Sequence, residues 1–163
     1  MSKLLEIMFE NVFEDNVIPL LLMLIGKPGN IIKVQCSEET NLVIDGRLDV
    51  YALNFVLKNN GDVTVIISLY SIEFGDVLLP KALLRLVKYG KKYDIDFTFD
   101  SNELEKTDMD NLLSELHGHA IEIAKDNDIG AFFCGMEPAS DEDTRYFTNY
   151  KLGPLSDLNG HLL

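Results

Sequence analysis

Two runs rich in β-branched and aromatic residues, Leu48 to Lys58 (LDVYALNFVLK) and Asp62 to Ser71 (DVTVIISLYS), flank the triplet Asn59-Asn60-Gly61. Asparagine and glycine supply the turn chemistry a tight hairpin needs, so this is the strongest short-range hairpin signal in the chain. A second strong pattern is Tyr93 to Asp100 (YDIDFTFD), which alternates polar and apolar residues strictly and reads as a half-buried strand. A sheet is therefore expected at the centre of the fold.

Lys3 to Phe9 and Ile31 to Cys36 read as further strands, and Ile129 to Met136 (IGAFFCGM) as a last, buried one. Glu14-Asp15-Asn16 supplies helix-start residues, and Gly26 with the turn cluster Lys27-Pro28-Gly29-Asn30 ends that helix. Val77 to Tyr89 (VLLPKALLRLVKY) has apolar positions at 79, 82, 83, 86 and 87, a helical period that Gly90 would stop. Thr107 or Asp108 can cap a long helix to about Lys125, with the stripe Met109, Leu112, Leu113, Leu116, Ala120, Ile123 and Ala124. The segment from Glu137 to Leu163 reads as a loop-rich tail with one helical turn. The predicted fold is α+β, a central mainly antiparallel β-sheet with about three helices in the order β-α-β-β-β-α-β-α-β. With 163 residues, no internal repeat and no linker, a single domain spanning 1–163 is expected.

Charge is distributed unevenly. Of the 27 acidic residues, 16 follow Tyr93, against only four basic ones (Lys106, Lys125, Arg145, Lys151), so nearly all of the net −13 lies there. Such a field repels nucleic acid and anionic membranes, and it attracts a basic partner while keeping the chain in solution. The most apolar stretch, Val17 to Gly26, is half the length that spans a bilayer and contains Pro19. The start of the chain lacks the positive charge and small-residue cleavage site of a signal peptide. A cytoplasmic location is expected, in keeping with two cysteines, Cys36 and Cys134, too few for a disulfide framework.

Chemistry-bearing constellations are thin. Asp94, Asp96 and Asp100 share one face of a strand and could help hold a divalent metal, or face solvent, an ion-pair partner or a cationic protein. His117-Gly-His119 with Cys134 lacks the ligand number and spacing of a zinc site. Cys134 sits in an apolar run where a thiol is inert core. Nucleophile elbows and phosphate-cradling loops are absent. Residues 135–148 interleave Glu137, Asp141, Glu142 and Asp143 with Arg145, Tyr146 and Phe147, either a locally paired loop or a protein-binding hot spot.

The run GMEPASDEDTRYFT (135–148), with LPKALLRLVKYGKKYDIDFTFD (79–100), resembles small acidic immunity proteins of bacterial polymorphic-toxin systems, including those of contact-dependent growth inhibition. The two segments cover 36 of the 163 residues. The resemblance implies a cytoplasmic protein that binds and blocks the toxic C-terminal domain of a cognate effector, with no cofactor and no chemistry of its own. The partner expected from charge is a basic toxin domain, with a nuclease as one candidate. The partner-binding candidates are Asp94, Asp96, Asp100, Glu103, Asp108, Glu115, Glu137, Asp141, Glu142, Asp143 and Tyr146. Two alternatives stand beside this: a metal-dependent hydrolase on the Asp94/Asp96/Asp100 face, and a non-catalytic adaptor subunit.

Overall fold

The computed structural model describes residues 4–104, 109–136, 145–149 and 151–153. In chain order come β1 (Leu4–Glu10), α1 (Glu14–Ile25), β2 (Ile31–Cys36), a small hairpin of β3 (Val43–Ile44) and β4 (Arg47–Leu48), and α2 (Val50–Asn59). These are followed by β5 (Asp62–Leu69), a second hairpin of β6 (Ser71–Phe74) and β7 (Val77–Pro80), β8 (Leu83–Tyr89) and β9 (Lys92–Asp100). Then come α3 (Met109–Asp126), β10 (Ala131–Met136), β11 (Arg145–Thr148) and β12 (Lys151–Leu152). The main sheet has eight strands in the order β12-β11-β10-β1-β9-β8-β5-β2, with every neighbouring pair antiparallel. The α+β class, the mainly antiparallel sheet and the number of helices agree with the sequence; the order of elements differs over 48–58 and 77–89, in the added β3–β4 hairpin and in the tail.

The first difference is at the expected hairpin. Residues 50–59 form a helix, because Leu53, Val56 and Leu57 make an i, i+3, i+4 stripe that buries on the core. Asp49 caps its start, its side chain accepting from the Ala52 N–H at 3.1 Å. The asparagines that looked like a turn instead end the helix. Asn59 Nδ2 donates to the Phe55 carbonyl at 2.7 Å, and Asn60 Nδ2 to the Val56 carbonyl at 2.8 Å. The Asn60 bond satisfies one of the last four carbonyls that a helix end leaves open.

The second difference is Val77 to Tyr89, which forms two strands, β7 and β8, broken at Lys81-Ala82. Val77–Pro80 pairs with Ser71–Phe74 around Gly75-Asp76, where Gly75 takes φ +63°. After Pro80, Leu84 and Leu86 bury on one face while Arg85 and Val87 turn to the other. The residues fit both periods; β5 and β9 on either side supply the hydrogen bonds that select the strand. Gly90, with φ +63°, is then a turn in the β8–β9 hairpin and not a helix stop. The tail also contains more order than expected, since β11 and β12 extend the sheet.

One face of the sheet is the core. Leu5, Ile7 and Phe9 of β1 align with Ile95, Phe97 and Phe99 of β9, and the apolar stripes of the three helices join the same cluster. Phe74 lies 5.1 Å from the Phe97 ring, and Phe9 lies 6.1 Å from Phe132. The core face also carries a cation. Lys88 is buried and donates to the Leu57 carbonyl and, at 2.8 Å, to the Asn60 carbonyl, closing the end of α2 with its charge. Lys88→Met should lower the unfolding free energy by about 2 kcal/mol, the cost of leaving buried carbonyls unpaired. An unshifted urea midpoint would show that those carbonyls find other donors.

Candidate protein-binding surface

The reverse face of the sheet holds the residues that alternate with the core. Glu6, Met8 and Glu10 of β1 lie on it beside Asp94, Asp96 and Thr98 of β9 and Arg85 and Val87 of β8. Phe133 lies on this side too, outside the core cluster, with the Arg145 guanidinium 4.2 Å from its ring centroid.

The three strand aspartates have three different fates. Asp94 is half-exposed, and it accepts from the Asn11 N–H at 2.9 Å and from the Tyr89 hydroxyl at 3.0 Å. Glu10 lies within its field: partial burial first, and then the Asp94 charge, raise the Glu10 pKa, while Arg145 opposes them. Asp96 is fully buried, which removes it from the candidate contact surface. Its Oδ2 accepts from Arg85 Nε at 2.9 Å and Nη2 at 2.7 Å, and the same Nη2 reaches the buried Glu6 at 3.5 Å. Burial raises the Asp96 pKa, the Arg85 hydrogen bonds work against it, and the neighbouring Glu6 adds to the rise. Asp100 is half-buried and caps the turn Ser101–Glu103 by accepting from the Asn102 N–H at 2.9 Å. Asp94 and Asp100 are about 20 Å apart along the strand, so the three carboxylates do not converge on one ion. Among the described residues no group of three or more His, Cys, Asp or Glu is placed to hold a metal.

Glu103 is exposed and pairs with exposed Lys81 at 3.6 Å, a contact worth little in water. Glu115, on α3, lines an open cleft of about 450 Å³ with Gly75, Asp76, Gly118, His119 and Glu122. A Cβ on Gly118 would meet nothing within 4 Å. Gly118→Ala is therefore expected to stabilise the helix by about 0.5–1 kcal/mol, read as a rise in melting temperature. Tyr146 is buried, so its ring belongs to the interior rather than to a contact surface. Asp108, Glu137, Asp141, Glu142 and Asp143 lie outside the described residues.

The histidine pair splits, as residues two apart on a helix must. His117 stacks on Phe147 at 4.4 Å and bonds through Nε2 to the Asn149 carbonyl, while His119 meets Phe74 edge-on at 4.6 Å. Cys134 is completely buried, and burial pushes its thiol pKa upward, away from a nucleophilic thiolate.

The sequence reading missed two residue groups. Arg85 with Glu6 was invisible because their contact spans 79 positions of chain. Tyr51 and Phe55 are 88% and 68% exposed, yet a strand over 48–58 would have put both on one face of a hairpin. The signal that could have found them is Asp49 followed by the helical stripe Leu53, Val56, Leu57.

Comparisons with known proteins agree with a binding role. A family model described as PABL017 Cdi1I immunity protein matches residues 3–152. A solved chain also matches, from the crystal structure of the toxic C-terminal tip of CdiA from Pseudomonas aeruginosa in complex with immune protein. That chain is 30% identical with a TM-score of 0.78, and the match covers 95% of this chain and 99% of that one. No curated protein matches.

Proposed function

The chain belongs to the PABL017 Cdi1I immunity protein family, and from that premise we propose that it neutralises the toxic C-terminal tip of a cognate CdiA by binding it. The observation that carries this is the likeness to a chain crystallised with such a tip, which extends over nearly the whole length of both. Neutralisation by covering a toxin needs shape, charge and slow dissociation and no reaction of its own, so the protein is a binder and not an enzyme. Among the described residues no helix is long and apolar enough to cross a membrane. We place its action in the cytoplasm, where an incoming toxin domain meets its target.

A net charge of −13 suits a basic toxin domain, and a nuclease is the natural candidate because its own target is anionic. The accessible carboxylates Asp94, Asp100, Glu103 and Glu115 are the contacts proposed from the described residues, with Asp108, Glu137, Asp141, Glu142 and Asp143 proposed beside them. Charge of this kind mainly speeds encounter, so association should slow as salt is raised while dissociation changes less.

The test is to express the C-terminal tip of the neighbouring CdiA with and without this chain. Growth arrest relieved only by co-expression, with a complex seen by calorimetry of the purified proteins, is the expected result. A tip that arrests growth regardless, and gives no binding heat, would overturn the proposal.

A further inference from the structure

The outward faces of α1 and α2 are apolar in a way the fold itself does not require. On α2, Leu53, Val56 and Leu57 face the core, while Tyr51 and Phe55, one turn apart, stand 88% and 68% exposed on the other side. Aromatic residues contribute little to helix propensity, so neither ring is there to build the helix. Helix α1 carries no charged side chain from Asn16 to Ile25, and Leu22 and Met23 are 42% and 47% exposed. A helix apolar on every side is normally covered on every side. Between the two helices runs a groove of about 470 Å³ lined by Glu14, Asp15, Ile18, Pro19, Asn54 and Lys58.

We propose that the outer face of α2 with its groove against α1 is the apolar centre of the surface that meets the toxin tip. This rests on the immunity reading above and deepens it. Two aromatic rings bury on the order of 300 Å² when covered, a large share of the ~800 Å² that one partner gives to a standard interface. Leu22 and Met23 add to that. Glu14 and Asp15 outweigh Lys58 and leave the groove net negative, which favours lysine or arginine around the partner's apolar anchor. Two copies of this chain, each at −13, repel one another, so charge favours a basic partner over a second copy. Carboxylates of the acidic C-terminal half draw the toxin in, and the aromatic face holds it.

The experiment compares the full chain with the double variant Tyr51→Ala, Phe55→Ala, using the purified CdiA tip as ligand. Both rings are exposed, so the circular dichroism spectrum and melting temperature should match those of the unaltered chain. Affinity for the tip should fall by at least ~100-fold, mostly through faster dissociation. If the unaltered chain binds and the double variant binds within ~3-fold of it, the aromatic face is not the anchor and this inference falls while the immunity reading stands. If the unaltered chain does not bind the tip, the immunity reading itself falls and this inference with it. A dimer of the unaltered chain that the double variant breaks, with tip affinity unchanged, would assign the face to a second copy and overturn the inference.

Discussion

Replacing Arg85 by alanine is expected to destabilise the protein by about 3 kcal/mol at pH 8. Glu6 and Asp96 are both buried on the reverse face of the sheet, and the Arg85 guanidinium bonds to both. Removing one partner of a buried ion pair leaves a desolvated charge behind, which costs more than the pair itself contributes. The expected value sits at the low end for such pairs because the Arg85 side chain remains 41% exposed. Arg85→Lys should recover only part of the loss, since an ammonium cannot reproduce the fork that reaches two carboxylates.

The same cluster sets a pH dependence whose sign is fixed. Asp96 is raised from 3.8 to about 7 in the folded protein, chiefly by burial. Between those limits the native state holds a proton that the unfolded chain has released. Its contribution to stability is therefore fully present at the acid end of this window and is lost as pH rises through about 7. Urea unfolding of the unaltered chain and of Asp96→Asn, compared from pH 5 to 8, isolates this contribution. The unaltered chain should lose stability relative to the variant as pH rises; a difference that stays flat across the range would show that Asp96 is ionised throughout. The Arg85→Ala loss should shrink at pH 5 for the same reason, because Asp96 then carries a proton.

Phe97→Ala is expected to cost about 4 kcal/mol and to lower the melting temperature by about 10 °C. Phe97 is completely buried in the middle of β9, with Phe74 at 5.1 Å and Phe99 at 6.3 Å. It joins the main sheet to the β6–β7 hairpin, so the cavity is lined from two layers and cannot collapse without moving one of them. A loss below ~1.5 kcal/mol, the range of a volume-conserving swap, would mean that the β6–β7 hairpin relaxes into the space. The less drastic Phe97→Leu, which removes fewer atoms and leaves a smaller cavity, should lose much less.

Neither change should be confused with loss of function. Arg85 and Phe97 act on stability, so a shortfall in immunity in cells would follow the abundance of folded protein. The double variant at Tyr51 and Phe55 leaves stability alone and acts on binding. Measuring melting temperature beside affinity for the toxin tip tells the two apart.

Much of this molecule was legible one residue at a time. The alternation of YDIDFTFD sets β9 with Tyr93, Ile95, Phe97 and Phe99 inward, because a strand's side chains alternate whatever its neighbours. The stripe from Leu112 to Ala124 sets the buried side of α3 in the same way. Residues 79–100 and 135–148 carried enough of the immunity pattern for the resemblance to be seen. Where two periods fitted one stretch, local sequence could not choose. Val50 to Asn59 became a helix because Leu53, Val56 and Leu57 found a core to cover, and Lys88, some thirty residues on, found the carbonyls at that helix's end. Leu83 to Tyr89 became a strand because β5 and β9 on either side offered it hydrogen bonds. The surface was less legible still, since exposure is a property of what lies opposite. Asp96 looked like Asp94 and Asp100 until Arg85 and Glu6 closed over it, and Tyr51 and Phe55 were part of an expected strand until the helix turned them outward. The sequence by itself determined the class of fold, the inward face of β9 and α3, and the acidic character of the chain. Only the tertiary structure decided which ambiguous segments are helix or strand and which charges and rings face a partner, because both depend on contacts far apart in the chain.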